Sequence, residues 1–267
     1  MVTYTEAETR AMNPQDFRSL VRKGEWTDIT MEVCQNFSQT NLAILPKEHA
    51  FEFLLFCNRN PLPCPVLEVT ELGDPQIKQM APGADLRTDL SRYRVYQDGE
   101  VVDEPTDIIK YWRDDLVGFL MGCSRTFVWA LRAANVPFRR YGAYQTTIPC
   151  VPAGRFHGPV VVSVRAFYNS RDAVRAVQIS SRHRLMHGPP IHIGDPAEIG
   201  VKLGQPDPLN PYRPVAEPPK PGEIVMSWGC GVTPQAVAIE SKIPFMITHC
   251  PAHMFVTDRL VEELAIL

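Results

Sequence analysis

Apolar residues along this chain fall into two rhythms, short strand-length runs and stretches with helical spacing, and their alternation predicts an α/β protein. Asn13-Pro14 opens a helix, with asparagine as the cap and proline in the first turn, and Gly24 closes it. Leu42 to Leu45 is an apolar run stopped by Pro46, which reads as a buried strand. Over residues 48–59, Phe51, Leu54, Leu55 and Asn58 recur at helical spacing and predict a helix turning that face to the core. Strand character returns at 65–70, and 92–102 alternates about Asp98-Gly99, a hairpin signal. Residues 107–134 read as mostly helical. Beyond them come a strand at 159–167, a helix at 169–182 and a strand at 191–193. Strands at 224–228 and 245–248 then flank a helix at 234–242. The expectation is a fold with mixed sheets and flanking helices. No internal repeat of sequence is apparent beyond two Gly-Asp-Pro tripeptides.

Composition narrows the partners. The 267 residues are 45% hydrophobic and 21% charged, which suits one large unit or two modest lobes sharing a core. A net charge of −3 offers no footprint for nucleic acid or anionic membrane, and the only dense basic cluster, Arg139-Arg140, is too short to make one. Runs such as 51–57 are too short to span a bilayer. Cysteines at 34, 57, 64, 123, 150, 230 and 250 form no Cys-x-x-Cys pair, and the N-terminus lacks a charged-then-apolar signal. Reduced thiols in the cytoplasm are expected, with no nucleic-acid or membrane partner and the oligomeric state left open. The proline-rich stretch 205–222 reads as an extended surface loop.

Two strand-to-helix junctions carry candidate chemistry. At His192-Ile-Gly-Asp195-Pro196, Asp195 can cap a helix with Glu198 three residues on. At Trp228-Gly229-Cys230-Gly231-Val232-Thr233-Pro234-Gln235, Thr233 is expected to cap and Pro234 to start the next helix. Helix N-termini at strand ends offer amide N–H groups to anions, although the same residues also suffice merely to cap helices. Histidines cluster as His187 with His192 and His249 with His253, and His157 follows Arg155 in a glycine-bearing loop. Neutral imidazole suits proton transfer near pH 7, whereas each single histidine can equally be structural. Pro251 between His249 and His253 argues against a helical zinc pair, so no metal is expected. Arg87 and Arg155 could clamp a carboxylate or pair with a neighbouring acid. Cys230, between two glycines at a helix start, could be an activated thiol or a small turn residue. Signatures for nucleotide cofactors, serine hydrolysis and zincin chemistry are absent, and no cofactor is expected.

Several long strings resemble one known family. They include Asn41-Leu-Ala-Ile-Leu-Pro46, Ala81-Pro-Gly-Ala-Asp-Leu-Arg-Thr-Asp89, Pro152-Ala-Gly-Arg-Phe-His-Gly-Pro159, His187-Gly-Pro-Pro-Ile-His-Ile-Gly-Asp-Pro196 and Cys230-Gly-Val-Thr-Pro-Gln235. Over about residues 24–258 the chain resembles the hydro-lyase family grouped with D-glutamate cyclase. The resemblance implies two fused α/β lobes and a lyase that removes water, as when D-glutamate closes to 5-oxo-D-proline. We place a main lobe in 1–90 with 186–267 and a smaller one in 91–185. The chain departs from the family's usual pattern in three tracts. Residues 28–36 are bulky and polar where relatives carry small residues. Val128 stands where they carry a glutamate, and Gln145 where they carry an arginine.

The expected function is a cofactor-independent hydro-lyase acting on a small amino or hydroxy carboxylic acid. Arg87 and Arg155 would hold carboxylate. Gly229, Gly231 and Thr233 would supply the oxyanion turn, with Gln235 and His253 beside the substrate. His157, His192, His249 or Cys230 would move the proton, with Asp195 orienting an imidazole. The alternative is a protein that binds a carboxylate metabolite without turnover.

Overall fold

A computed structural model describes residues 4–205 and 217–266 of the chain, so most of the proline-rich stretch at 205–222 lies outside the described residues. In chain order the helices are α1 Glu6–Ala11, α2 Pro14–Arg22, α3 Lys47–Arg59, α4 Arg125–Ala133, α5 Ser170–Ser181 and α6 Thr233–Glu240. The strands up to the first of the long helical crossovers are β1 Phe37–Pro46, β2 Val66–Val69, β3 Gln76–Ile77, β4 Ala84–Asp85, β5 Tyr93–Gln97, β6 Glu100–Asp103 and β7 Leu116–Gly122. After it come β8 Phe138–Pro149, β9 Pro159–Phe167, β10 His192–Ile193, β11 Ile224–Gly229, β12 Phe245–His249 and β13 Phe255–Leu260.

The larger sheet runs β2-β7-β1-β12-β5-β6, with β13 paired along the first part of β1. The second runs β10-β11-β9-β8, and β3 and β4 form a small ribbon. The α/β class with flanking helices stands. The direction of the strands differs from the expected mixture, because every pair among the described residues is antiparallel. Sheet membership also ignores the boundaries at 91 and 185. β5, β6 and β7 join β1 and β12 in the larger sheet, whereas β10 and β11 join β8 and β9 in the second.

The connections explain this. β7 leaves the larger sheet through α4 and enters the second as β8, while β11 leaves the second through α6 and enters the larger as β12. β1 followed by α3, with β7 and β12 on either side, has the same connectivity as β9 followed by α5, with β11 and β8 on either side. The chain therefore repeats its topology without an evident sequence repeat.

β1 is buried from Ser38 to Pro46 because partner strands cover both its edges and a core lies on each face. Its Ala43 and Leu45 share one core with α3 and the second sheet, while Leu42 and Ile44 face another with Leu86 and Leu120. On α3, Phe53 packs edge-on to Phe119 at 5.0 Å and against Phe156 at 5.2 Å between ring centroids. Burial of such a ring contributes about 2–3 kcal/mol. The helix is rotated from its expected face: Phe51 is 75% exposed and Leu54 40%, and the buried stripe is Phe53, Phe56 and Cys57. The expected helix over 107–134 is instead a short 3-10 turn at Ile109–Tyr111, then β7, then α4. Leu116-Val-Gly-Phe-Leu-Met-Gly122 is apolar at consecutive positions because β7 is buried throughout, and such a run has no period of its own. β8 and β13, also not expected, mix polar and apolar residues irregularly.

All seven cysteines are free thiols. Among the described residues, no helix is long and apolar enough to cross a membrane, and no three His, Cys, Asp or Glu side chains cluster as a metal site.

Candidate active site

The repeated topology brings two matching turns together. β7 ends in Gly122-Cys123-Ser124-Arg125-Thr126 and β11 in Gly229-Cys230-Gly231-Val232-Thr233, each leading into a helix. In both, the threonine amide donates to the cysteine carbonyl, at 3.0 Å for Thr126 and 2.9 Å for Thr233. In both, the threonine hydroxyl clasps the neighbouring strand. Thr233 Oγ1 accepts from Val161 N at 3.0 Å and donates to Val161 O at 3.3 Å. Thr126 Oγ1 does the same with Gln39 at 3.3 and 3.4 Å. Gln39 and Val161 occupy equivalent places, each one residue before the partner of the turn's first glycine.

Asn41 on β1 joins the turns. Its Nδ2 donates to the Gly122 carbonyl at 2.5 Å, and a Cβ on Gly231 would land on the same carboxamide. Two outer segments clamp the pair: a Cβ on Gly122 would strike the Leu185 carbonyl, and one on Gly229 would lie 2.6 Å from the Leu62 carbonyl. That Leu62 oxygen is 2.6 Å from His187 Nδ1, so this nitrogen carries the ring proton. Burial pushes His187 down to about 4, against the pull of the Leu62 carbonyl, and its imidazole is neutral at pH 7.

Cations gather on one side. Arg165 on β9 is fully buried and donates to Ser163 Oγ at 3.0 Å and Ser124 Oγ at 2.9 Å. Its guanidinium lies over the rings of Phe127 and Trp228 at 5.0 and 5.1 Å. Arg140 stands directly opposite it on β8, so both side chains leave the same face of the sheet. Like charges in that position repel, and an anion between them relieves the repulsion. Cys123 is buried and its thiol is pushed up by burial, whereas Cys230 is half-exposed. The Gly231 and Val232 amides donate no backbone hydrogen bond among the described residues, and they head α6 where its dipole favours negative charge.

The expected site residues divide into two groups. Gly229, Cys230, Gly231 and Thr233 form the second turn, although Thr233 is the first helical residue and Val232 the cap, because the threonine hydroxyl is engaged with Val161. Gln235 and His249 lie behind it: Gln235 Nε2 donates to the His249 carbonyl at 2.8 Å, and its Oε1 accepts from Arg94 and Tyr96. His249 Nδ1 accepts the Leu42 amide at 3.3 Å, and burial pushes this histidine down to about 3. His253 is further back, 3.0 Å from Ser91 Oγ.

The other group is scattered. His157 is exposed and bonded through its backbone to Ser241, at the opposite end of α6 from the turn. An eight-residue helix puts those ends about 12 Å apart. Arg155 lies 3.9 Å from Glu52, and Arg87 is held by Asp85 at 2.6 Å. His192 Nε2 is 3.0 Å from the Asp195 carbonyl, and Asp195 caps Ala197 of a single 3-10 turn, Pro196–Ile199, rather than an α-helix. Glu198 faces His192 at 3.5 Å and does not close the expected capping box. Residues that sequence reasoning passed over are Asn41, Ser124, Arg140 and Arg165, while His187 was noted among the clustered histidines but given no role. The one signal for them was the recurring Gly-Cys-x-x-Thr.

Two of the departing tracts meet beside the first turn. Arg125 donates to the Met31 carbonyl and to Glu32 at 2.8 Å, while Glu32 also receives Arg132 at 2.6 Å and Arg10 at 2.9 Å. Burial alone would raise Glu32, but Arg132, Arg125 and Arg10 hold it at about 2. Arg140 reaches Met31 Sδ at 3.0 Å, which sets residues 31 and 32 at the edge of the paired arginines. Val128 is buried in an apolar cluster with Phe127 and Leu131, and Gln145 is exposed on β8.

Residues 117–258, which include both turns and both arginines, match the family model described as D-glutamate cyclase. A protein of Geobacillus kaustophilus is 51% identical over 263 residues, covering 96% of this chain and 98% of its own length. One from Bacillus licheniformis is 51% identical over 262 residues, with the same coverage of 96% and 98%. One from Bacillus subtilis is 47% identical over 263 residues, covering 96% of this chain and all of its own. All three bear the name "Putative hydro-lyase". Among solved structures, a nitrogen repressor-like protein from Methanococcus jannaschii aligns with a TM-score of 0.39 and 7% identity, covering 94% of this chain and 99% of that one.

Proposed function

This chain belongs to the D-glutamate cyclase family, and from that premise we propose that it is a hydro-lyase acting on a small amino or hydroxy carboxylic acid at the paired turns. The observation that carries the reading is Arg140 opposite Arg165, on one sheet face beside Ser124 and next to the two turns. Two guanidinium groups on one face suit a carboxylate, which they can bind through parallel N–H···O pairs.

The chemistry asked of the site is modest. Loss of water from such an acid needs a group to accept a proton from the attacking or eliminating atom and a group to protonate the departing oxygen. The Gly231 and Val232 amides support the oxyanion that develops as the carbon–oxygen bond changes, an effect worth about 3–4 kcal/mol per well-placed donor. Neutral His187 and the half-exposed Cys230 are the proton-moving groups beside the turns. His249 orients Gln235 and the strand behind, since its Nδ1 is already engaged by Leu42. The substrate is a small-molecule carboxylate, and the reaction as written calls for no cofactor.

The test is incubation of the purified protein with D-glutamate, 5-oxoproline and related acids, following loss or gain of water by mass spectrometry. Turnover by the native protein that falls at least tenfold in Arg165→Gln and in Cys230→Ala supports the reading. A binding-only protein is the second reading, favoured by His157 and His192 lying away from the turns. Thermal stabilisation by one acid with no turnover of any would establish it and remove the lyase.

A further inference from the structure

A cleft of about 780 Å³ lies on the outer side of the two segments that clamp the turns. Leu62 and Leu185, whose carbonyls press on Gly229 and Gly122, both line it, together with Leu54, Pro65 and Ile266. Leu54 and Leu185 expose 40% and 47% of their surface here, so an apolar wall faces water. Among the described residues, Arg184 is the one charged side chain in the lining, and no acidic side chain accompanies it. Arg184 makes no side-chain hydrogen bond and no ion pair among the described residues, unlike Arg87, Arg94, Arg125 and Arg139, each of which holds a carboxylate.

We propose that this cleft is a binding site for a small amphipathic carboxylic acid, its hydrocarbon body against Leu54, Leu62 and Leu185 and its carboxylate on Arg184. The volume falls in the range of small-molecule sites, and an apolar wall with one placed cation matches such a ligand in shape and in charge. A cation would meet Arg184 in repulsion, and a neutral hydrocarbon would leave its guanidinium unused. The ligand is distinct from the small polar acid of the paired turns, and its binding does not depend on the reaction proposed there. Because Leu62 and Leu185 belong to both places, an occupant stiffens the clamp on Gly122 and Gly229.

The experiment is titration of octanoate into the intact protein, read by calorimetry and by leucine-methyl chemical shifts. One-to-one binding is expected, with shifts at Leu54, Leu62 and Leu185. Arg184→Gln, an exposed substitution that leaves the fold alone, should weaken binding at least tenfold, octylamine should fail to bind, and Cys230→Ala should bind octanoate as the native protein does. The inference is overturned by absence of octanoate binding, by equal affinity in Arg184→Gln, by octylamine binding as well as octanoate, or by methyl shifts confined to residues away from the cleft.

Discussion

The two Gly-Cys-x-x-Thr turns share a backbone and differ in what surrounds them. The first is sealed: Cys123 is buried, Ser124 is engaged by Arg165, and Arg125 is only 3% exposed beneath Met31 and Glu32. The second differs at its cysteine: Cys230 is half-exposed, while Gly231 and Val232 are buried with amides that donate no backbone hydrogen bond among the described residues, and Gln235 ties its helix to Arg94 and Tyr96. The first turn thus fixes a cation in place, and the second leaves two amides without a backbone acceptor among the described residues. One local fold is used twice with different surroundings because the third and fourth residues differ, Ser-Arg in one and Gly-Val in the other.

Substitution at the glycines should separate the turns most sharply. Gly122→Ala drives a methyl into the Leu185 backbone, which cannot step aside, and should destabilise by more than about 3 kcal/mol, read as a large drop in thermal midpoint. Gly231→Ala meets first the Asn41 side chain rather than backbone and should cost about 1–2 kcal/mol while lowering turnover. Equal losses of stability would erase the distinction. Next in size, Arg165→Gln should lower kcat/KM by about 100-fold or more, whereas Arg132→Gln, on the surface side of the Glu32 cluster, should change it less than threefold or so.

The likeness of the turns can be broken through their threonines. Thr126→Val and Thr233→Val each leave a strand amide unpaired and should each cost about 1–3 kcal/mol in chemical denaturation. A large inequality would show that the two clasps are not equivalent. The effects on acid stability are felt only away from neutral pH. His187 and His249 have folded values of about 4 and about 3, below the ordinary 6.5. The unfolded chain binds protons that these buried rings refuse, so stability should fall as pH drops from 6.5 towards 3. Glu32 works lower down: its value is depressed from 4.5 to about 2, so its contribution is present above 4.5 and lost as pH falls through 2. Glu32 is part-exposed, and Glu32→Gln should cost only on the order of 1 kcal/mol near neutrality, the difference from the native protein vanishing in a thermal scan near pH 2.

Local signals in the sequence were strong where one element has one watery face. The Asn13 cap of α2, the Asp98-Gly99 hairpin and the Asn169-capped α5 all lie where spacing and turn chemistry place them. They failed where burial is two-sided, since β7 presents apolar residues at every position, and on α3, where Phe51 and Leu54 carry helical spacing yet face solvent. The candidate site was half legible. Gly229 to Thr233 announced itself through glycine, cysteine and proline at a strand end, while Arg140 and Arg165 come from strands whose pairing no local pattern specifies. Arg87 and Arg155 look in sequence like carboxylate clamps, but each has a chain neighbour or a helix residue, Asp85 or Glu52, to hold.

The exchange of strands between the sheets also bears on how the molecule is made. β12 sits between β1 and β5, so the β5–β6 hairpin is joined to the rest of the larger sheet only through a strand near the end of the chain. As the polypeptide leaves the ribosome, residues 93–103 must wait for residues 245–249 before their sheet can close. Pairings of that separation form slowly, and until then an open strand edge is exposed to other nascent chains. Neither half of the gene product alone can complete the larger sheet, whereas the strands of the second all lie within residues 138–229.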